Sequence, residues 1–372
     1  MTNSAYRDAG VDTSAGDLAV SLMRDAVAAT HGSRVLGGVG GFAGLFDASF
    51  LKAFSRPVLA TSTDGVGTKI AIARALDKHD TIGQDLVGMV VDDIVVVGAR
   101  PMFMTDYIAC GRVIPDRIAE IVAGIARACE ATGTALIGGE TAEHPGLMAA
   151  DDYDLAGAAV GAVEADDVLG ADRVREGDVV LALASSGLHS NGFSLVRSIL
   201  NERGIGYRDY SPDLGGAVGE VLLEPTRLYT RPLLGLIENE QTRGAVHSLS
   251  HITGGGIAAN LARVLPHGSS VELERSTWSP PDVFRVLCGL RGMPLEQVEQ
   301  TWNLGVGMVA VIDPDASAAV QAGLATSGVS SWELGRVSLQ PRDTSGFEQH
   351  SKGVVGGAVR LVGRYRDPVD RA

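Results

Sequence analysis

The sequence predicts an α/β (α+β) protein of two domains, and three observations support this fold class. The chain has 372 residues, a length at which soluble chains usually divide into two domains. A pattern of short apolar strand, glycine-rich turn and helix runs through the first half and begins again after a polar stretch at 166–178. Glycine is abundant, with 48 residues, whereas aromatic residues make up 5% of the chain, which favours α/β architecture with glycine-rich ligand loops over a β-sandwich.

Composition narrows the class of protein further. The formal net charge of −14 argues against a general nucleic-acid binder, which needs clustered Lys and Arg, although a nucleotide substrate stays compatible with it. The N-terminus carries no signal-peptide pattern and no apolar run reaches membrane-spanning length, so we expect a cytoplasmic protein with no membrane partner. Three widely spaced cysteines suggest neither a disulfide framework nor a zinc site, and we expect buried structural thiols.

The first half begins with a predicted helix at 17–29 and a glycine-rich loop. Five glycines between 37 and 44 prevent regular structure and imply mobility or close ligand approach. Residues 115–132 form the clearest amphipathic helix, because apolar side chains recur at helical spacing up to Gly133. The remaining elements are apolar runs bounded by Gly, Pro or polar residues: strands at 57–61, 102–109, 134–137 and 153–163, and helices at 70–76 and 85–97.

The second half repeats the pattern. We predict strands at 179–184 and 303–312, a loop at 185–192, and helices at 193–201 and 257–264, the last opened by a run of three glycines. The domain boundary is expected near 170, which gives an N-terminal domain at 1–170 and a C-terminal domain at 171–342. Residues 343–372 are charged and contain glycine, so we expect a loosely held, flexible tail.

Residues 62–69, Ser-Thr-Asp-Gly-Val-Gly-Thr-Lys, join a predicted strand to a helix. Asp64 at such a strand end suits Mg²⁺, free backbone N–H groups at the helix start suit phosphate oxygens, and Lys69 adds a positive charge. The alternative is a plain left-handed turn with a capping aspartate. The P-loop pattern GxxxxGK[ST] is absent, so the residues alone leave both interpretations open.

Acidic and polar residues elsewhere allow two interpretations each. Asp92 and Asp93 interrupt an apolar helix, where they face solvent on a narrow strip or reach a cation. Glu140 and Glu143 are metal ligands or a general base, or simply solvated loop acids. Residues 185–192 present hydroxyls, an imidazole and an amide as a polar ligand would require, and His189 suits proton transfer, although a loop histidine is often merely exposed. Residues 253–256 hold a phosphate or form a simple glycine-rich connection.

Seven segments in this order make the chain resemble the phosphoribosylformylglycinamidine cyclo-ligase family, also called aminoimidazole ribonucleotide synthetases. They are Tyr-Arg-Asp-Ala-Gly-Val-Asp at 6–12, Thr-Asp-Gly-Val-Gly-Thr-Lys at 63–69, His-Asp-Thr-Ile-Gly-Gln-Asp-Leu-Val at 79–87, Gly-Gly-Glu-Thr-Ala-Glu at 138–143, Ser-Ser-Gly-Leu-His-Ser-Asn-Gly at 185–192, Glu-Pro-Thr-Arg at 224–227 and Leu-Ser-His-Ile-Thr-Gly-Gly-Gly at 249–256. The likeness runs from about residue 5 to about residue 340. It implies a two-domain ATP-binding synthetase scaffold, whose N-terminal mixed sheet contributes to a β-barrel shared in a homodimer.

The resemblance also implies a reaction and a set of site residues. ATP and formylglycinamidine ribonucleotide would yield aminoimidazole ribonucleotide, ADP and phosphate, with Mg²⁺ held by Asp64 and Asp93. The loop at 37–44 would close over ATP, the segment at 189–191 would contact substrate or phosphoryl oxygens, and Glu140 would support the site. The residues implied as catalytic are Lys69, Glu140, His189 and Asn191. Those implied in cofactor binding are Gly40, Gly41, Thr63, Asp64, Gly65, Gly67, Thr68, Lys69, Ser190, Gly254 and Gly255.

The chain departs from the family pattern at several positions. Asp92 stands where Asn is usual, Ala28 and Ala29 stand where lysines precede the glycine-rich loop, and His144 stands where Met is usual. The missing lysines put in doubt how the nucleotide's phosphates are held, and Asp92 adds a negative charge beside the implied metal. Two alternatives therefore stay open: another ATP-using enzyme on the same scaffold, such as selenophosphate synthetase or thiamine-monophosphate kinase, and a non-catalytic ATP-binding protein. The absence of a reactive N-terminal Cys disfavours the first of these relatives.

Overall fold

The computed structural model describes residues 13–38, 40–340 and 342–366. The family-like segment at 6–12 lies outside these residues. The helices are α1 (Thr13–Ala29), α2 (Ile70–Leu76), α3 (Ile82–Val96), α4 (Pro115–Thr132), α5 (Phe193–Arg203), α6 (Val218–Leu222), α7 (Thr230–Glu238), α8 (Gly256–Ala262), α9 (Asp282–Arg291) and α10 (Ser317–Thr326). No helix in the described ranges is both long enough and apolar enough to cross a membrane.

The strands are short in the connecting segments and long in the two main sheets. They are β1 (Val35–Leu36), β2 (Leu45–Phe46), β3 (Pro57–Gly65), β4 (Arg100–Cys110), β5 (Ala135–Glu143), β6 (Tyr153–Glu164), β7 (Val179–Ala184), β8 (Tyr210–Ser211), β9 (Gly216–Ala217), β10 (Val246–His251), β11 (Ser270–Glu274), β12 (Val306–Ile312), β13 (Ser331–Ser338), β14 (Glu348–Ser351) and β15 (Val354–Val362). The chain forms two compact units whose boundary in the sequence lies between Asp166 and Asp167, and the short segment Val95–Gly98 belongs to the second unit.

The first unit contains a four-stranded sheet in the order β3-β6-β4-β5. β4 and β5 are parallel and joined through α4, whereas β6 is antiparallel to both of its neighbours. Helix α3 packs closely on one face: an added Cβ at Gly157 would meet Leu86, and one at Gly161 would collide with Ile94. The opposite face leaves Leu59 and Tyr107 more than 40% exposed. Alternating side chains therefore give this sheet one helix-covered face and one open face.

The second unit contains a seven-stranded mixed sheet in the order β10-β12-β7-β13-β11-β15-β14. The residues of β12 are all buried, and β7 contributes side chains to two separate apolar clusters. Val179, Leu181 and Leu183 pack with α7 and α10, while Val180 and Ala182 pack with α8. A strand covered on both faces is a near-continuous hydrophobic run, which explains why the sequence predicts β7 with its correct bounds.

Several predicted elements agree with the structure, and several predicted bounds are wrong. α2, α4 and β7 have the predicted limits, and Gly133 ends α4 in a left-handed conformation with φ of 75°. α1 and α3 begin four and three residues earlier than predicted, and β12 begins at Val306 rather than at 303. β5 continues through Glu143, so the predicted loop around Glu140 is wrong and this residue lies in a strand.

The predicted flexible tail is also wrong for the part of it that the structure describes. β15 pairs in parallel with β11 over five residues, and β14 pairs with β15 at the sheet edge. Phe347, Ala358 and Val359 are buried. Arg342 and Arg360 both contact Glu272 and lie over the ring of Phe347. The segment after 342 is therefore part of the second sheet.

Candidate functional site

The segment that joins β3 to α2 exposes backbone at its turn. Gly67 has a φ of 71°, which favours glycine, and both Gly67 and Thr68 are exposed, as is Thr63 on β3. Asp64 is half-buried, and its Oδ1 accepts the N–H of Gly65 at 2.8 Å. Asp64 therefore bonds the backbone of its neighbour within β3 and does not cap the helical turns that follow, which begin without a side-chain cap. The exposed turn remains suited to a phosphate group.

Lys69 does not project from this turn into solvent. Its side chain is fully buried, and its Nζ lies 2.8 Å from Oδ1 of Asp85, which is also fully buried on α3. Burial of both charges requires that they compensate each other. The structure thus gives Lys69 a structural partner that sequence reasoning missed, because sixteen residues separate the pair.

The remaining predicted residues of the first unit lie in different environments. On α3, Asp92 is fully buried and Asp93 is exposed, so the two carboxylates do not share one solvent-facing strip as one interpretation required. Glu140 is exposed on β5, opposite Tyr107. Gly40 and Gly41 are exposed, and Gly40 has a φ of 108°. An added Cβ at Gly44 would clash with Ile137, so the end of the glycine-rich loop lies against β5.

Sequence reasoning missed Asp106, a half-buried carboxylate in the middle of β4. It is registered with Gly157 on β6 and Gly139 on β5, and Gly157 is in turn registered with Asp64. Residues in one row point to the same face, so Asp106 and Asp64 share a face about 10 Å apart. Burial raises the pKa of Asp106 to about 7. Its position inside an apolar strand was the available signal.

In the second unit, His189 is buried rather than exposed. It has a φ of 58°, and its Nε2 accepts the backbone N–H groups of Ser186 at 3.2 Å and Arg227 at 3.5 Å. An added Cβ at Gly307 would collide with the His189 ring and with Tyr229 Oη, so that glycine makes room for both. The imidazole therefore holds the 185–192 loop against the 224–227 segment.

The structure brings together two predicted loops of the second unit. Asn191 Oδ1 accepts the N–H of Gly254 at 3.0 Å, although 63 residues separate them. Ser190 Oγ lies 3.3 Å from Oγ1 of the fully buried Thr226. Gly255, with a φ of 105°, completes the turn into α8. Ser190, Asn191 and Gly254 thus lie together on one polar surface, and ligand binding there stays a prediction.

Two buried amides that sequence reasoning missed brace these loops. Asn260 Nδ2 donates to the carbonyls of Thr253 at 3.2 Å, Gly254 at 3.4 Å and Gly256 at 2.8 Å. Asn303 Nδ2 donates to the Gly187 carbonyl at 2.9 Å, and its Oδ1 accepts the Gly305 N–H at 2.9 Å. Satisfied buried amides fix backbone position, so both loops are rigidly supported.

The described residues offer neither a reactive thiol nor a preformed cluster of metal-binding side chains. Cys110, Cys129 and Cys288 are buried and unpaired, as predicted, and burial raises the pKa of Cys110 and of Cys288 to about 11. Such thiols are unsuited to nucleophilic attack. Within the described ranges no group of three or more His, Cys, Asp or Glu residues is arranged to hold a metal. A bound cation would therefore need ligands from phosphate and water as well.

Family models match most of the chain. Residues 46–163 match "AIR synthase related protein, N-terminal domain" and residues 175–347 match its C-terminal domain. A phosphoribosylformylglycinamidine cyclo-ligase of Desulfitobacterium hafniense is 46% identical over 341 residues, covering 92% of this chain and 98% of the relative. The cyclo-ligase of Sorangium cellulosum is 49% identical over 335 residues, covering 89% and 94% respectively.

Solved structures share the fold at low identity. Thiamine-monophosphate kinase from Stenotrophomonas maltophilia is 18% identical with a TM-score of 0.65, covering 93% of this chain and 97% of that one. Hydrogenase maturation protein HypE in complex with ATP is 18% identical with a TM-score of 0.59, covering 86% and 85% respectively. At this identity the likeness concerns the fold alone.

Proposed function

The chain belongs to the AIR synthase related family, and from this we propose that it catalyses the ATP-dependent cyclisation of formylglycinamidine ribonucleotide to aminoimidazole ribonucleotide in purine biosynthesis. The observation that carries the proposal is 46% identity over 92% of the chain to a relative named as this cyclo-ligase. The two-unit α/β fold and the two braced polar loops of the second unit support it. ADP and phosphate are the other products.

The chemistry requires activation of an amide oxygen, which is a poor leaving group. ATP phosphorylates the formamide oxygen, the amidine-derived nitrogen attacks the activated carbon, and phosphate leaves as the ring closes. The protein's task is to position both substrates and to compensate charge at the transferring phosphoryl group. Residues that position the substrates and compensate charge therefore contribute more to the rate than residues that themselves react.

In the first unit we assign phosphate contacts to the exposed backbone at Gly67 and Thr68, beside Asp64. A carboxylate at a strand end next to an exposed backbone turn fits a Mg²⁺-nucleotide, with Asp64 and Asp93 as the proposed metal ligands. Mg²⁺ would neutralise charge on the transferred phosphoryl group. Buried Lys69 supports this segment through its ion pair with Asp85.

In the second unit we assign substrate contacts to Ser190, Asn191 and the Gly254–Gly255 backbone. These groups are half-buried or exposed and are held by Asn260 and by the backbone contacts of His189. The catalytic role predicted for His189 becomes a positioning role in this proposal. Its Nε2 already accepts two backbone N–H groups, which keeps that nitrogen unprotonated.

We also propose a cytoplasmic homodimer, with the open face of the first sheet as the contact. Leu59 is 59% exposed and Tyr107 is 43% exposed on this face, and Thr61 and Thr105 beside them are exposed. A sheet face of this kind is usually covered, by helices or by another sheet. Sedimentation velocity would test the assembly, because Leu59→Asp should shift a dimer towards monomer.

The test of the activity is substrate-dependent ADP release. Purified protein with Mg-ATP and formylglycinamidine ribonucleotide should release ADP and aminoimidazole ribonucleotide in equal amounts. ATP binding without turnover of this substrate would overturn the proposal and would favour another ATP-using enzyme on the same scaffold.

A further inference from the structure

Asp106 occupies a place in the first sheet where a carboxylate is unexpected. β4 is flanked by β6 and β5, and its residues Met104 and Ile108, which share the face of Asp106, are fully buried. Both neighbours of Asp106 in its row are glycines, Gly157 and Gly139. Asp106 therefore has no side chain beside it in its row on either neighbouring strand.

The carboxyl group leans towards the edge of the sheet. A Cβ added at Gly139 would collide with both Oδ1 and Cγ of Asp106, so the carboxyl occupies the place of a side chain at 139. On the other side, the Met104 methyl group fills the space over Gly157, with Leu86 beside it. Gly139 is exposed and β5 is the edge strand. A ligand would reach the carboxyl from the β5 side.

This edge is also where the glycine-rich loop lies. Gly44, at the end of that loop, approaches Ile137, two residues before Gly139 on β5. Asp64, beside the proposed phosphate contacts, shares the row and the face of Asp106. Along the sheet, the carboxyl therefore lies between Asp64, beside the proposed phosphate contacts, and the end of the glycine-rich loop.

Asp106 has no partner among the residues that the structure describes. Only its own backbone N–H hydrogen-bonds the carboxylate, and desolvation raises its pKa to about 7. Among the described residues, Cys129 of α4 is a titratable group that faces it, and the pKa of that thiol is raised by burial and by the Asp106 charge. A desolvated carboxylate without a counter-charge destabilises the folded protein. A ligand that brings positive charge would remove this penalty.

We propose that Asp106 binds the amidinium group of formylglycinamidine ribonucleotide and selects it over neutral amides. This inference rests on the proposed function. An amidinium is planar and, like a guanidinium, can donate two parallel N–H groups to a carboxylate. Mg²⁺ fits less well, because it needs several oxygen ligands. The neighbouring side chains of Met104 and Cys129 carry sulfur and no oxygen, and Gly139 has no side chain.

The test compares two ligands that differ only at this group. Formylglycinamidine ribonucleotide carries the amidine, and formylglycinamide ribonucleotide carries a neutral amide in its place. In the unmodified protein the amidine should bind at least about tenfold more tightly than the amide, as expected for a charge-assisted hydrogen bond. Asp106→Asn should lose that preference, with little change in the KM for ATP. The exposed Asp116→Asn on α4 serves as the matched control.

Stability provides a second, independent readout. Because the Asp106 pKa is raised above its unfolded value near 4, ionisation destabilises the fold progressively as pH rises from about 4 to about 7. Asp106→Asn should therefore unfold at a higher temperature than the unmodified protein at pH 8 and at a similar temperature near pH 4. Lower stability of the variant at pH 8 would show a structural carboxylate and would overturn the inference.

The remaining outcomes separate this inference from the proposed function. Turnover by the unmodified protein with an unchanged amidine preference in Asp106→Asn would overturn the inference alone. If Asp106→Asn raised the KM for Mg-ATP and weakened the binding of both ribonucleotides equally, Asp106 would contact the cation carried by the nucleotide. That result would overturn the assignment to the amidinium. No turnover by the unmodified protein would instead contradict the proposed function.

Discussion

Replacement of Lys69 by Met tests whether its buried ion pair stabilises the first unit. The substitution keeps most of the side-chain volume but removes the charge 2.8 Å from Asp85 Oδ1, and both side chains are fully buried. Breaking a buried pair by removing one partner destabilises proteins by about 3–5 kcal/mol, since an uncompensated charge stays behind. For a unit of this size that corresponds to a fall in melting temperature of roughly 10 °C.

The assay must follow the first unit separately. All three tryptophans, Trp278, Trp302 and Trp332, lie in the second unit, so their fluorescence reports that unit alone. Far-UV circular dichroism should show an earlier transition in Lys69→Met while tryptophan fluorescence changes little. Exposed Lys78→Met is the matched control and should leave both signals unchanged.

A second variant separates the structural role from phosphate binding. Lys69→Met combined with Asp85→Leu removes both charges, and replacement of a buried pair by apolar residues is often neutral or stabilising. The double variant should therefore recover most of the lost stability, and its ATP turnover then measures any remaining role of the Lys69 charge. A single Lys69→Met variant within about 1 kcal/mol of the unmodified protein would refute the reasoning.

Three further changes have defined outcomes. Gly307→Ala places a methyl group against Tyr229 and should destabilise the second unit by about 1–3 kcal/mol in tryptophan-monitored urea unfolding; no change would show that the ring can move. Deletion of 343–372 removes β14 and β15 and should leave a second unit that aggregates or no longer unfolds cooperatively. A soluble, native-like product would contradict the place of these two strands in the second sheet. Asp64→Asn retains an oxygen for the Gly65 N–H, so stability should hold while ATP turnover falls at least about 100-fold; near-normal turnover would remove the metal role.

The sequence identified most of the regular elements because local periodicity determines them. The apolar spacing of α4, its proline at the start and Gly133 after it are readable without any tertiary contact. Strand β7 is apolar throughout because both of its faces are buried. Strands β14 and β15 were not readable in this way. β14 is polar, and β15 contains Gly356 and Gly357, which weaken a strand signal.

Those two glycines show how a long-range contact can override local preference. An added Cβ at Gly356 would collide with the carbonyl of Ala262 at the end of α8, and one at Gly357 would collide with Ser269 Oγ. Glycine is thus required by the close approach of β15 to a helix that lies far earlier in the chain. That requirement depends on the fold and leaves no periodic trace in the sequence.

The candidate site divides in the same way. The sequence by itself indicated the family, the exposed turn after β3 and the two polar loops of the second unit, because glycines and polar residues at strand ends mark such segments. Only the tertiary structure paired Lys69 with Asp85, joined Asn191 to Gly254, buried His189 and placed Asp106 between two glycines. Strand register and helix packing decide these contacts, and both depend on residues far apart in the chain.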